Sequence, residues 1–180
     1  MGVTGFRKIN YEFKAYCNDF SKVISLLKEA GAINRGLDLQ KDTYFKVNAG
    51  RLKLREGSIK SYLIWYDRPN VSRTKKSDVL LFEPGDPSVL KEILMKSLGV
   101  NVVVEKRRQI FSLKNIKIHM DSVEGLGNFV EVEAQGEPGD EAKLHQQCEE
   151  MKKQLILAKE DFVSCSYCDL LVDLGQTEVS

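Results

Sequence analysis

The sequence predicts an α+β protein built on an antiparallel sheet. About eight stretches alternate apolar and polar residues, as half-buried strands do, and three or four others repeat apolar residues at helical spacing. The strands follow one another mostly through short turns rather than alternating with helices, which favours antiparallel pairing. Several strands also carry one apolar and one ionic face, and this third observation bears on function.

The composition is that of one globular domain, predicted to span residues 1–180. Lysine and arginine (27) nearly balance aspartate and glutamate (26), so we expect no nucleic-acid partner held by bulk charge. No apolar run approaches the ~20 residues of a membrane span, so we expect no membrane partner. The four cysteines are too scattered for a disulfide framework, which predicts reduced thiols and a cytoplasmic location. Both a monomer and a homodimer remain open.

Five strands and one helix are predicted in the first half of the chain. The helix begins after Asp19, a favourable N-cap, and ends at Gly31. The basic segment 70–76, "NVSRTKK", is predicted to be a mobile loop. The strands are bounded by turns or by proline and cover residues 7–16, 41–47, 50–56, 61–69 and 77–83.

Two helices flank three further strands in the second half. The first helix begins at Asp86-Pro87 and ends at Gly99, and the second begins at Asp140. A short final helix is predicted within residues 160–175. The apolar stripes of the two helices are Leu90, Ile93, Leu94 and Leu98, and Leu144, Cys148, Met151 and Leu155. The strands between them are 101–113, 115–123 and 128–135.

The segment "GRLKLRE" places three cations on one face of a strand. Arg51, Lys53 and Arg55 alternate with two leucines, so the cations share one face and the leucines share the other. Unit charges two residues apart lie ~6.7 Å from each other and repel by ~2.5 kcal/mol at an effective dielectric of 20. Water screens such a face when it is open. An enclosed face needs an anion or carboxylates to balance it.

Other strands show the same division between an ionic and an apolar face. Glu12 shares a face with Lys14, Lys106 with Arg108, and Glu131 with Glu133, while Lys117, His119 and Asp121 share another. One architecture that fits is a barrel with an ionic interior and helices packed outside; a sheet with one solvated ionic face is the alternative. The cations suit a polyphosphate and the paired carboxylates suit a hard divalent cation, a combination typical of phosphoryl or nucleotidyl transfer.

The chain resembles the CYTH superfamily, the triphosphate tunnel metalloenzymes. The resemblance covers about residues 6–171, and "DSVEGLGNFVEVE" is its most specific part. The superfamily includes class IV adenylyl cyclases, thiamine triphosphatases and inorganic tripolyphosphatases. The resemblance implies an eight-stranded antiparallel barrel that forms a tunnel, with helices outside. The other matching segments are "NYEFKA", "DTYF", "GRLKLRE", "YDRP", "KKSD", "EKRRQIF" and "SYCDLL".

The resemblance also implies roles for individual residues. Catalytic roles fall to Lys14, Arg55 and Asp121, and His119 is expected to be structural or supporting. Mg²⁺ or Mn²⁺ is the implied cofactor and a small triphosphate the implied partner. The metal ligands would be Glu12, Asp121, Glu131 and Glu133. The triphosphate would be bound by Lys14, Arg51, Lys53, Arg55, Arg68, Lys75, Lys106 and Arg108.

Two departures from the family pattern affect the expected activity. Asn10 stands where the E-x-E-x-K signature has its first carboxylate, and Thr4-Gly5 stands where the cyclases often carry a His-Phe pair. The leading hypothesis is metal-dependent hydrolysis of tripolyphosphate, thiamine triphosphate or a nucleoside triphosphate. A cyclase that converts ATP to cyclic AMP and pyrophosphate is the second hypothesis. A non-catalytic polyphosphate or nucleotide-binding module is the third.

Overall fold

The strands curl into a closed barrel. The computed structural model describes residues 5–175, except the side chain of Phe6, so Thr4 and the two ends of the predicted domain lie outside the described residues. No helix within this part of the chain is long and apolar enough to cross a membrane. Its strands are β1 (Gly5–Tyr16), β2 (Ile33–Phe45), β3 (Arg51–Gly57), β4 (Tyr62–Asp67), β5 (Lys75–Phe82), β6 (Val100–Leu113), β7 (Ile116–Val123) and β8 (Gly127–Gly136).

Four α-helices complete the described part of the chain. Asp19 caps the first by accepting a hydrogen bond from the backbone N–H of Lys22, and Asp86 caps the second through the N–H groups of Ser88 and Val89, as predicted. The helices are α1 (Phe20–Glu29), α2 (Pro87–Leu98), α3 (Glu141–Gln154) and α4 (Tyr167–Asp173), with a 3₁₀ turn at Lys159–Asp161.

Every neighbouring pair of strands is antiparallel. The order around the barrel is β1-β5-β4-β3-β2-β6-β7-β8, and pairing of β8 with β1 closes it. In that last pair Glu12 lies opposite Glu133 and Lys14 opposite Glu131. The predicted α+β class and the eight-stranded antiparallel barrel with helices outside are confirmed.

Two predicted boundaries were wrong. Strand β2 begins at Ile33, eight residues before the predicted start at Lys41. The register shift between Asn34 and Gly36 interrupts the alternation only near the start of the strand, and residues 37–42 alternate regularly. Strand β5 begins at Lys75, so the last two residues of the predicted loop 70–76 belong to a strand. Lys75 is buried on the same face of β5 as Ser77, so the alternation of the strand continues through it. Lysine is also typical of a solvated loop, and the prediction therefore placed Lys75 in the loop.

The outside of the barrel is covered unevenly. Helices α1 and α3 pack on β1, β7 and β8, and the predicted stripe of α3 is buried there from Leu144 to Leu155. The predicted stripe of α2 is different: its leucines are half-buried and Ile93 is 54% exposed. Helix α4 belongs to a second core with Tyr44 and Tyr66, at one end of the barrel.

Candidate active site

The inward-facing side chains of the barrel line an ionic cavity. Alternation along each strand turns apolar residues such as Val130 and Val132 outward and turns Glu131 and Glu133 inward. The enclosed ionic face is therefore observed, and the alternative of a solvated sheet is wrong. The charged residues that line the cavity are Lys8, Glu12, Lys14, Asp38, Lys53, Arg55, Lys60, Arg68, Lys106, Arg108, Lys117, Glu131 and Glu133.

The cavity has a buried end and an exposed end. At the buried end, α4 places Tyr167 inside the barrel, where its hydroxyl donates to Asp121 Oδ2 at 2.7 Å and its ring lies 3.5 Å from Lys14 Nζ. At the exposed end, the lining includes the exposed side chains of Lys60 and Lys117 and that of Ile59. The cavity therefore opens to solvent on the side away from α4.

One carboxylate, Asp42, balances two of the three aligned cations of β3, Lys53 and Arg55, and also Lys106 of β6. Asp42 of β2 accepts hydrogen bonds from Lys53 Nζ at 2.8 Å, from Arg55 Nε and Nη2 at 2.8 and 2.9 Å, and from Lys106 Nζ at 2.6 Å. Burial alone would raise the pKa of Asp42, but Arg55, Lys106 and Lys53 hold it well below the usual range. These four residues form the Asp42 cluster.

Sequence reasoning missed Asp42. The segment "LDLQKD" does carry a signal, because Asp38, Gln40 and Asp42 alternate with leucine and lysine in the manner of an inward polar face. Asp38 and Gln40 precede the predicted strand, which began at Lys41, so the alternation that includes Asp42 was not recognised. The partners of Asp42 come from β3 and β6, on either side of β2, and local patterning cannot identify them.

The amines of the Asp42 cluster are poorly solvated. Burial, reinforced by Arg55, lowers the pKa of Lys53 to about 8 despite Asp42. Burial also lowers the pKa of Lys106 well below its usual value. One carboxylate faces three cations here, so a bound polyanion would supply the charge that the wall lacks.

A second cluster surrounds Glu131. Its Oε2 accepts from Arg108 Nη2 at 2.7 Å, and its Oε1 lies 3.5 Å from Lys14 Nζ. Arg108 also donates through Nε to Asp121 Oδ1 at 2.7 Å, and His119 and Glu133 lie beside Glu131 on the same wall. Burial opposes ionisation of Glu131, but Lys14 and Arg108 hold its pKa well below the usual range. These residues, Lys14, Arg108, His119, Asp121, Glu131 and Glu133, form the Glu131 cluster.

Glu12 and Arg68 form a separate pair between the clusters. Arg68 Nε lies 3.1 Å from Glu12 Oε1, and both residues are buried. Burial raises the pKa of Glu12, with Arg68 opposing the shift and Glu131 and Glu133 adding to it. Arg68 Nη1 is buried without a hydrogen-bond partner among the described residues, so this guanidinium has a free donor for a ligand.

A divalent cation fits the acidic wall. His119, Glu131 and Glu133 each offer one ligand atom, and these atoms lie within 4.8 Å of one another. Within residues 5–175, His119 Nδ1 and Asn10 Oδ1 are buried without hydrogen-bond partners, and both side chains line the cavity. Carboxylate and amide oxygens with an imidazole nitrogen form a donor set suited to Mn²⁺ and tolerated by Mg²⁺.

Three residues predicted for the site lie behind its wall. Arg51 reaches Asp169 of α4 at 2.8 Å and Asn70 at 2.9 Å. Lys75 donates to the carbonyls of Val71 and Ser164, each at 2.9 Å. Neither residue is among those that line the cavity formed by the described chain, and Asp121 is fully buried under Arg108 and Tyr167. Arg51 and Lys75 therefore attach α4 and the residues just before it to the barrel.

The remaining predicted residues lie together on the cavity wall. The structure places nine of them there, and their roles toward a ligand remain predictions. They are Glu12, Lys14, Lys53, Arg55, Arg68, Lys106, Arg108, Glu131 and Glu133.

Comparisons with known proteins agree with this architecture. A putative adenylate cyclase from Methanocaldococcus jannaschii is 26% identical over 175 residues, which cover 90% of this chain and 98% of that protein. A solved Pyrococcus horikoshii structure is 25% identical at a TM-score of 0.77, covering 89% and 98% of the two chains. A putative adenylyl cyclase from Hippeastrum, with a dominant triphosphatase activity, is 16% identical at a TM-score of 0.60, covering 94% and 96%.

The family model for the CYTH domain matches residues 8–167, almost the whole of the barrel and the start of α4. This match confirms the resemblance seen in the motifs, and the closed barrel with an ionic cavity is the architecture that the resemblance implied. The chain belongs to the CYTH family.

Proposed function

We propose that this protein is a metal-dependent hydrolase of a small triphosphate: tripolyphosphate, thiamine triphosphate or a nucleoside triphosphate. One observation carries the proposal: cations and carboxylates are segregated within one cavity. The Asp42 cluster has an excess of cations, and the Glu131 cluster has an excess of carboxylates. A triphosphate with its cation has the complementary pair of charges.

The chain's own residues would bind and position the triphosphate. Lys53, Arg55 and Lys106 would exchange part of their contact with Asp42 for phosphate oxygens, and Arg68 would add its free Nη1 donor. Lys14 and Arg108 would neutralise the phosphoryl group under attack. Asp121 is proposed to hold Arg108 in place, since it is buried behind the guanidinium.

Mg²⁺ or Mn²⁺ would be held by Glu131 and Glu133. Glu12 lies opposite Glu133 in the β1–β8 pair and would join them after release from Arg68. When bound, such an ion polarises a phosphoryl oxygen and helps orient water. The protein's contribution is electrostatic and positional, and no covalent nucleophile is required. The closed end at Tyr167 limits how far the phosphate chain can enter.

Adenylyl cyclase activity is the second candidate, favoured by the name of the Methanocaldococcus relative. The same wall would then bind ATP while the ribose 3′-hydroxyl attacks the α-phosphorus. The Thr4-Gly5 pair, where cyclases often have a His-Phe pair, argues for hydrolysis first. The Hippeastrum protein has a dominant triphosphatase activity despite its cyclase name, so the name does not decide between the two reactions.

Product analysis separates these activities. We expect tripolyphosphate, thiamine triphosphate or ATP to lose its terminal phosphate in the presence of Mg²⁺ or Mn²⁺ and to remain intact with EDTA. Cyclic AMP and pyrophosphate from ATP would establish the cyclase instead. Tight binding of all three compounds without turnover under either metal would establish a binding module.

The proposed partner is the triphosphate alone. A net charge of +1 gives no broad basic surface for nucleic acid, and all four cysteines are free, which is compatible with the proposed cytoplasmic location. Either a monomer or a homodimer is compatible with the proposed reaction, since the cavity is lined by residues of one chain.

A further inference from the structure

We propose that His119 Nδ1 is a ligand of the divalent cation, together with Glu131 and Glu133. The site would then combine one imidazole nitrogen with carboxylate oxygens and would prefer Mn²⁺ to Mg²⁺. The inference rests on the proposed function only in using the same cation site. It concerns binding, so it can be tested without turnover.

The position of the imidazole nitrogen is the first support. His119 Nδ1 lies 3.5 Å from Glu131 Oε2 and 3.9 Å from Glu133 Oε1. The residue is only 5% exposed, and Nδ1 has no hydrogen-bond partner within the described chain. Buried polar atoms are almost always satisfied. A cation between Nδ1 and the two carboxylates would satisfy all three groups at once.

The strand pairing that holds these groups is the second support. His119 lies directly opposite Glu131 in the β7–β8 pair, and Glu133 is the next inward residue on β8. All three side chains therefore project from two adjacent strands of a closed barrel, where backbone hydrogen bonds fix their spacing. A site on regular strands is positioned more precisely than one on loops.

The oxygens of the two glutamates are not used up by the protein. Glu133 Oε2 accepts from Gln135 Nε2 at 3.1 Å, which leaves Oε1, the atom nearest His119, for a cation. Glu131 is bound by Arg108 and Lys14, but each carboxylate oxygen has two lone pairs. Glu131 can therefore bind a cation while it keeps its ion pairs.

The ligand types determine the metal preference. Mg²⁺ is bound mainly through oxygen and keeps several of its waters, whereas an imidazole ligand suits transition-metal ions. Replacing one oxygen ligand by a ring nitrogen therefore favours Mn²⁺. We expect Mn²⁺ to bind the free protein more tightly than Mg²⁺ does, and this ratio to decrease when His119 is removed.

The decisive experiment uses Mn²⁺ alone with the full chain and no substrate. Pulsed electron paramagnetic resonance of the bound ion is expected to show a directly coordinated ¹⁴N nucleus, replaced by ¹⁵N when the protein is labelled at histidine. Bound Mn²⁺ with no nitrogen coupling would overturn the inference, and so would failure of millimolar Mn²⁺ to bind.

Two variants provide a second test. We expect His119→Ala to remove the nitrogen coupling and to weaken Mn²⁺ binding roughly 10–100-fold by calorimetry, while Mg²⁺ binding changes less. His145→Ala, at an exposed position on α3, is the matched control and should retain the coupling and the affinity. Coupling that persists in His119→Ala contradicts the assignment. If His119→Ala does not fold, the labelled wild-type protein still decides.

The two proposals fail in different ways. A protein that shows nitrogen-coupled Mn²⁺ but hydrolyses no triphosphate contradicts the proposed function and supports the ligand assignment. A protein that hydrolyses triphosphates while its Mn²⁺ has only oxygen ligands contradicts the assignment alone.

Discussion

The Asp42 cluster and the Glu131 cluster are built from the same residue types but have opposite excesses of charge. In the Asp42 cluster three cations surround one carboxylate. In the Glu131 cluster three carboxylates and His119 face two cations, Lys14 and Arg108. The first cluster is complementary to an anion and the second to a cation. A chain with a net charge of +1 can therefore contain two sites of opposite excess charge.

The ion pairs within each cluster explain how an ionic interior can be stable without a ligand. Each buried charge loses its hydration, and a partner at hydrogen-bond distance offsets much of that cost. Both clusters provide such partners, at 2.6 to 2.9 Å around Asp42 and at 2.7 Å between Arg108 and Glu131. The excess charge in each cluster is what remains available to a ligand.

Asp42→Asn should be the most damaging change, because it leaves three buried cations without their common carboxylate. Removing one partner of a buried ion pair costs about 3–5 kcal/mol, so we expect a loss of that size in the free energy of unfolding, measured with urea. Saturating tripolyphosphate should restore stability more in this variant than in the wild type, since the polyanion replaces the lost charge.

Asp67→Asn is the control for that experiment, because Asp67 is exposed on β4 and points away from the cavity. It should change the free energy of unfolding by less than about 0.5 kcal/mol. A variant Asp42→Asn that is as stable as the wild type would show that the three cations do not depend on this carboxylate.

Glu133→Gln should impair the acidic wall of the cavity without destabilising the fold. Among the described residues Glu133 accepts one side-chain hydrogen bond, from Gln135, whereas Glu131 holds two buried cations. We expect the glutamine at position 133 to reduce metal-dependent turnover roughly 100-fold or more, comparable to removing one group that stabilises a transition state. Glu131→Gln should lose turnover and also destabilise the fold.

Steady-state turnover and urea unfolding of both variants test this contrast. Glu124→Gln, at an exposed turn before β8, should leave both quantities unchanged. Full activity of Glu133→Gln would remove the metal assignment from this residue, and equal stability of the two site variants would show that Arg108 and Lys14 do not rely on Glu131.

The two clusters also differ in how far the sequence reveals them. Strict alternation in "FVEVEAQ" and "VEKRRQI" predicted that Glu131 shares a face with Glu133, and Lys106 with Arg108, and both pairs point into the cavity. Alternation gives the face of a side chain but not its depth along the barrel. Arg51 and Arg55 share a face, yet only Arg55 reaches the cavity, because α4 supplies Asp169 as the partner of Arg51.

Contacts between strands that are far apart along the chain could not be predicted from the sequence pattern. Asp42 gains its partners because β2 pairs with β3 on one side and with β6 on the other. His119 becomes a candidate ligand only because its ring nitrogen is buried without a hydrogen bond, a fact of packing rather than of pattern. The family motifs predicted most of the remaining site residues, but they do not specify which of these residues contact one another.

Arg55→Ala tests the cationic side by removing one phosphate contact. Asp42 keeps Lys53 and Lys106 in this variant, so stability should change little, while binding of tripolyphosphate should weaken by about 2–3 kcal/mol, the scale of a charge-assisted hydrogen bond. Calorimetry with tripolyphosphate measures the difference. Arg51→Ala is the matched comparison from the same face of β3 and should change the affinity less than about twofold. Equal losses for both arginines would show that depth in the barrel does not matter.

The smallest expected effect is a proton that accompanies binding at the Asp42 cluster. Burial lowers the pKa of Lys53 to about 8, against an ordinary value of 10.5. The buried charged amine therefore destabilises the folded state fully below pH 8, and this destabilisation decreases as the pH rises from 8 towards 10.5. A bound triphosphate stabilises the charged amine and raises its pKa again. Binding at pH 8 should therefore take up roughly half a proton at Lys53, and affinity should fall as the pH rises from 7 to 9.

Calorimetry in buffers of different ionisation enthalpy measures that uptake. Tripolyphosphate can exchange protons of its own, so the contribution of Lys53 is the difference in uptake between the wild type and Lys53→Arg under the same conditions. Lys53→Arg keeps a cation that cannot lose its proton, so it should bind tripolyphosphate while taking up fewer protons. Uptake that is unchanged in Lys53→Arg would assign the proton to a group other than Lys53.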